Sequence, residues 1–317
     1  MSEKSNMRDL MIATAKLYYI DGFSQEEISK QLFVSRPTVS RLLKSSLKEG
    51  IVEIRIDDAS SYCFELAKQI ENKFSINKVI VTPSSYNQGE SKQNVGAAAA
   101  IYLESILKDN SVLGIAWGTT LRYVVKNIRP NPKIKSDVIQ LIGGIGNKTK
   151  DTDANALTLR LARVLNGDGY ILHAPFIVKN KVLKDLLMDE TYIKQHFEKI
   201  QDVNVALVGL GSVNPDLSGQ FRSGHINLED MEKIKREGAI GDICGGYIDI
   251  NGNKCHTSLT NRIISISLTD LCAIQTVIGV ACGNNKKDII TGALRGKYLD
   301  VLIIDKNAAL AILEDLH

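Results

Sequence analysis

The chain has 317 residues, 44% of them apolar and 24% charged, and a net charge of +3. Such a length and composition predict a soluble globular protein of two domains, and so small a net charge excludes general electrostatic coating of a polyanion. No apolar run reaches the ~18 residues that a membrane span needs, and the opening MSEKSNMRDL lacks the apolar core of a signal peptide, so no membrane partner and a cytoplasmic location are expected.

A scaffold helix is predicted from Met7 to Ile20, with Leu10, Ala13, Leu17 and Ile20 on one side and Asp21-Gly22 closing it. Phe23 to Gly50 then reads as a helix-turn-helix. Ser24 stands three residues before Glu27, the reciprocal pattern that satisfies free amides at a helix start, and Ile28 and Leu32 fall one turn apart. Phe33, Val34 and Ser35 form the turn. Ser35 caps a second helix whose early Pro37 needs no amide partner, and Gly50 ends it.

On that second helix Val39, Leu43, Ser46 and Leu47 recur at helical spacing and are expected to face inward. The opposite face carries Pro37, Thr38, Arg41, Lys44, Ser45 and Lys48, with Arg36 at its entrance and no carboxylate. A stripe of this kind is often a plain solvated face. Following a capped short helix and a three-residue turn, it suits insertion into the DNA major groove. Between Lys30 and Ile56 six cations stand against Glu49 and Glu53, a local net of +4, whereas residues 1–29 carry −2. Binding is therefore expected from one small surface, repeated through a homo-oligomer, since symmetric dimers read symmetric half-sites. The candidate DNA contacts are Gln25, Ser35, Arg36, Pro37, Thr38, Ser40, Arg41, Lys44 and Lys48. The alternating IVEIRID that follows reads as a wing, which adds Arg55.

Asp57 to Ser61 is a short polar joint, giving expected domains at 1–57 and 58–317, the second opening with a helix from Tyr62 to Phe74. Beyond it the apolar segments KVIVTP, SVLGIAW, DVIQLIG, GYILHAP, VNVALVG, VIGVACG and DVLIID alternate with helical stretches. Continuous apolar strands divided by helices describe a doubly wound α/β domain with a parallel sheet, and such sheets bind ligands beyond the carboxyl ends of their strands.

Several of those ends are rich in glycine, hydroxyls and cations. Gly118-Thr119-Thr120 opens a helix, where free amides and the positive end of the dipole suit a phosphate. Gly143, Gly144 and Gly146 precede Asn147, Lys148 and Thr149; Gly211 and Ser212 precede Gln220, Arg222 and Ser223; and Asn284, Asn285, Lys286 and Lys287 follow VIGVACG. One glycine turn alone needs no ligand to explain it. Four on one edge point to an anion site. Asp242, in GAIGDICGGYIDINGN, is either an acid facing the same cleft or a loop cap, and His173 ends a strand beside it. The five cysteines form no CxxC pair and no HExxH occurs, so free buried thiols, no metal and no cofactor are expected.

With these motifs laid out, the chain resembles the SorC family (SorC/DeoR-type) of bacterial transcriptional regulators nearly end to end. The resemblance rests on YYIDGFSQEEISKQL, VSRPTVSRLLKSSLKEGIVEI, GIAWGTTL, VIQLIGGIG, VALVGLGSV, GAIGDICGGYIDINGN and GVACGNNKKDIITGALRGKYLDVLIID. It implies a winged helix-turn-helix head on an effector domain that looks like sugar-phosphate isomerases and CoA transferases, in a homodimer or homotetramer governed by a phosphorylated sugar or polyol. Carried onto this chain, it implies that Gly118, Thr119 and Thr120 form a phosphate loop, that Gly143 and Gly144 belong to the pocket wall, and that Gly211 and Ser212 form a second loop. Asp242 becomes a partner for sugar hydroxyls and Lys286 a cation for phosphate or carbonyl oxygen. Ile142 stands where deoxyribose-phosphate-reading relatives are expected to carry a lysine, and it cannot form an imine with an aldehyde sugar. Cys282 replaces one glycine of a usual pair and narrows the pocket.

The expected function is a sequence-specific DNA-binding regulator, a repressor of a palindromic operator, with no catalytic residues. The rival is an isomerase-like enzyme with a DNA-binding head, for which Asp242 and Lys286 would serve without a clear second carboxylate. A dinucleotide sensor at Gly144-Ile145-Gly146 lacks its third glycine, Thr149 standing in that place.

Overall fold

The computed structural model describes residues 3–52, 59–144, 146 and 152–314. They fall into two compact units divided between Asp58 and Ala59.

The first unit holds three helices, α1 (Glu3–Tyr19), α2 (Gln25–Gln31) and α3 (Arg36–Lys48). Ile28, Val39 and Leu43 form its small core, with Leu17, Leu32 and Val34 packed against them. Two details differ from the helical-wheel expectation. Among the described side chains of α1 the buried residues are Met11, Thr14 and Ala15, while Ile20 is 76% exposed, because the helix ends at Tyr19 and the chain turns away at Asp21-Gly22. On α3 Leu42 is buried and Leu47 is exposed, which rotates the inward face by part of a turn. The expected wing, including Arg55, runs into residues 53–58, outside the described residues.

In the second unit α4 spans Ala59–Phe74, so Ala59 to Ser61 are helical rather than a joint; no glycine or proline there prevents it. The strands are β1 (Lys78–Thr82), β2 (Ser111–Ile115), β3 (Ser136–Gln140), β4 (Gly169–Tyr170), β5 (Val205–Ser212), β6 (Gly241–Ile243), β7 (Gly246–Ile248), β8 (Thr276–Val280) and β9 (Val301–Asp305). The helices between and after them are α5 (Gln88–Ile106), α6 (Thr119–Asn127), α7 (Ala154–Val164), α8 (Lys181–Asp189), α9 (Thr191–Ile200), α10 (Gly219–Arg222), α11 (Leu228–Arg236), α12 (Leu268–Ala273), α13 (Lys287–Arg295) and α14 (Lys306–Leu313). Seven strands lie in the order β1-β9-β8-β5-β2-β3-β4, all parallel. Every residue of β9 and the first four of β5 are buried without alternation, as in a sheet covered on both faces. From β2 the chain winds one way through β3 to β4. It then returns to β5 and winds the other way through β8 to β9, so the winding reverses between β2 and β5.

Two departures from a plain parallel sheet matter. The strand expected from GYILHAP is cut to two residues because the buried Gln140 side chain, not a neighbouring strand, accepts the Leu172 N–H at 3.1 Å. And β6 and β7 form a hairpin laid antiparallel on the end of β5. Its two-residue turn, Cys244-Gly245, has φ of 52° and 80°, the mirror-image geometry that tight hairpins favour. Cys63, Cys244 and Cys282 are buried, but Cys272 is exposed. No helix among the described residues is long and apolar enough to cross a membrane.

Candidate functional site

The helix-turn-helix is held by local polar contacts. Ser24 Oγ accepts the Glu27 N–H at 3.3 Å while the Glu27 carboxylate accepts the Ser24 N–H at 2.8 Å, closing the capping box. Those bonds hold the Glu27 carboxyl below its usual range. Ser29 Oγ donates to the Val34 carbonyl at 2.7 Å, fixing the turn in which Phe33 has a φ of 52°. Ser35 Oγ accepts the Thr38 N–H at 3.3 Å and lies 2.8 Å from the Thr38 hydroxyl. The capped helix buries Val39, Leu42, Leu43 and Ser46, and Ser46 stays inside because its hydroxyl donates to the Leu43 carbonyl at 2.8 Å. Arg36, Pro37, Arg41, Lys44 and Lys48 are exposed, and Thr38, Ser40 and Gln25 are half-buried. Among the described residues no carboxylate pairs with Arg36, Arg41, Lys44 or Lys48.

The second unit has a cavity of about 160 Å³ at the carboxyl ends of β2, β5 and β8, beside the winding reversal. Gly118, Thr119, Thr120, Gly211, Asp242 and Lys286 all line it. Gly118 caps α6 with a φ of 154°, a conformation open to glycine, and no side chain among the described residues occupies the amides that follow. Those free N–H groups and two threonine hydroxyls face the same space as the cations Lys92, Arg222 and Lys286.

Asp242 and Lys286 are the centre of the electrostatics. Lys286 Nζ donates to the Leu210 carbonyl at 2.8 Å. Burial holds its amine down to about 8, with Lys92 and Arg222 adding to the lowering and Asp242 opposing it. Burial pushes the Asp242 carboxyl up, against the Gly245 N–H that donates to it at 2.9 Å, the Lys286 charge and the Gln220 side chain. Tyr247 Oη donates to Gln220 Oε1 at 2.7 Å, so the Gln220 amide nitrogen is left to serve Asp242. The carboxylate therefore keeps acceptor capacity on its cavity side.

Other sequence candidates lie elsewhere. Gly143 and Gly144 are outside the lining; a Cβ on Gly143 would meet the Phe176 N and Pro175 carbonyl at 2.6 Å, so this glycine serves backbone packing, and Ile142 supplies the wall. Ser212 is buried and accepts the Asn214 N–H at 3.1 Å, a turn contact away from the lining. His173 is exposed near the far strand β4 and does not reach the cavity. Asn147, Lys148 and Thr149 lie outside the described residues. The lining also contains Gln88 and Lys92, one turn apart at the start of α5, and Trp117, stacked over Gly219 so closely that a Cβ there would meet the indole at 2.4 Å. The one sequence signal for Lys92 is its place in the first turns of a helix after a strand. Cys282 lines the cavity as a buried thiol pushed up to about 12 by burial and by Asp305. Among the described residues no group of three or more His, Cys, Asp or Glu could hold a metal ion.

Residues 58–314 match the family described as "Putative sugar-binding domain". The chain is 33% identical over 311 residues to the deoxyribonucleoside regulator of Bacillus subtilis (strain 168), covering 98% of each. It is 28% identical over 316 residues to the sorbitol operon regulator of Klebsiella pneumoniae, covering 98% of this chain and 100% of that one. The crystal structure of the full-length Klebsiella regulator, SorC, matches with a TM-score of 0.76 at 27% identity, over 96% of this chain and 98% of that one. Two units in the same order, a reversal-point cavity of glycine turns and cations, and similarity along nearly the whole length lead to one conclusion: the chain belongs to the SorC family of transcriptional regulators.

Proposed function

We propose that this regulator is a repressor that grips a palindromic operator through residues 1–57 and is released by a phosphorylated sugar or polyol bound within residues 58–317, working as a cytoplasmic homo-oligomer. The observation that carries the reading is the juxtaposition, in one cavity, of the free amide start of α6 with Lys92, Arg222 and Lys286 on one hand and the Asp242 acceptor on the other. Amides and cations suit a phosphate, and a carboxylate held by Gly245 and Gln220 suits ligand hydroxyls. Ile142 leaves no amine at that wall, so capture there is non-covalent.

Arg36, Thr38, Ser40 and Arg41 read bases or lie next to them, while Gln25, Ser35, Lys44, Lys48 and Arg55 hold the backbone, with Pro37 shaping the approach. The effector acts by favouring one arrangement of paired heads. Coupling of about 1–3 kcal/mol changes operator affinity roughly 5- to 150-fold. The site binds without turnover.

The test is a thermal-shift screen of phosphorylated sugars and polyols, followed by operator gel shifts with each hit. A ligand at 100 times its dissociation constant adds about 2.7 kcal/mol of stability. The reading fails if no such compound both stabilises the protein and changes operator affinity, or if a hit is converted to product.

A further inference from the structure

α8 is the one helix of eight or more residues, among those whose burial is described throughout, with no buried residue. Its outer face presents Val182 at 67%, Leu183 at 41% and Leu186 at 63% exposure, and Tyr192 follows at 81% just beyond its end. Scattered single apolar residues on a surface need no explanation, but three on one helical face with an aromatic beside them form a patch.

The charges on this helix run against its own dipole. A helix start favours carboxylates and a helix end favours cations. Here the first turn has no acid and the last turn no base: Lys179 and Lys181 stand at the start, Asp189 and Glu190 at the end. Lys181 pairs with Asp185, and Asp189 with Lys194. Lys179 and Glu190 are exposed and meet no partner among the described residues. A helix basic at its start and acidic at its end is complementary to an antiparallel copy of itself. When Lys179 of one copy is set level with Glu190 of the other, Leu183 of each falls level with Leu186 of its mate. The apolar and ionic requirements thus select the same register.

We infer that α8 is a two-fold contact surface, packing antiparallel against α8 of a second copy of this chain. A nine-residue helix is about 13 Å long and supplies part of the roughly 800 Å² that each partner of a standard interface contributes. Tyr192 extends the patch. A two-fold contact is isologous, so one surface serves both subunits without leaving an open edge for further growth.

This inference deepens the homo-oligomer reading proposed above, and sedimentation equilibrium of the full chain separates the two. Leu186→Glu places a carboxylate at the centre of the patch and should raise the dissociation constant of the association step at least tenfold, with an unchanged circular dichroism spectrum. Lys179→Glu and Glu190→Lys should each weaken association severalfold, and the double variant K179E/E190K should restore it. A wild type that stays monomeric overturns both readings. A wild type that associates while L186E associates equally well overturns this surface alone. Failure of the double variant to recover overturns the antiparallel register and with it the inference.

Discussion

The Asp242 carboxylate lies directly over Gly211, its register partner across β5 and β6, and a Cβ on that glycine would meet Asp242 Oδ1 at 1.9 Å. The glycine is there to make room for a carboxylate, and the hairpin that carries Asp242 is pressed onto β5 because of it. Gly211→Ala should therefore drive Asp242 out of place, costing about 1–3 kcal/mol of stability by overpacking and removing the effector-induced thermal shift. The double variant Gly211→Ala/Asp242→Ala should recover stability relative to the single one without recovering the shift. Thermal melts with and without ligand check both statements.

Lys286 should make effector binding depend on pH. Burial holds its amine down to about 8, and an anionic ligand would favour the protonated form. Below pH 8 the charge is already present and affinity is full; as pH rises through 8 and beyond, binding must take up a proton and weakens, by up to about tenfold per pH unit. Calorimetric titrations from pH 7 to 9.5 should show this fall. Lys286→Arg, which keeps its charge, should flatten the profile.

Arg41 and Lys44 project from the exposed face of α3 but should fail differently. Arg41→Ala should cost about 1–3 kcal/mol of operator binding and relax the sequence preference, as loss of a base contact does. Lys44→Ala should weaken binding to all duplexes alike and lower the salt slope by about 1. Gel shifts over a salt series on operator and scrambled DNA separate them.

Ser35 caps α3 through the Thr38 N–H. Ser35→Ala should cost about 1 kcal/mol of stability in the N-terminal unit, whereas Ser35→Gly should cost only a few tenths. Chemical denaturation followed by circular dichroism checks the order.

Much of the architecture is legible in the residues. The capping box at Ser24 and Glu27, the Ser35 cap, and the apolar strand segments are local patterns whose physical cause lies within a few residues, and each forms where its pattern stands except GYILHAP, of which only Gly169 and Tyr170 are strand. The strand-end glycines and hydroxyls at 118–120, Gly211 and Lys286 come together in one cavity because parallel strands bring their carboxyl ends to one edge, and the antiparallel β6–β7 hairpin on the end of β5 adds Asp242. Gly143 and Ser212 carry similar composition and yet serve backbone packing and a turn, a distinction that composition does not contain.

By itself, then, the sequence determined where the capped helices α2 and α3 start, which segments enter the sheet and which edge gathers the polar loops, since capping, periodicity and parallel winding are short-range or topological rules. The tertiary structure alone decided that the carboxylate of Asp242 occupies the space over Gly211, that Lys92 from a distant helix joins Lys286, and that burial holds that lysine near 8. Those facts depend on side chains far apart in the chain meeting in a desolvated cavity, where charge and volume are set by neighbours rather than by position along the polypeptide.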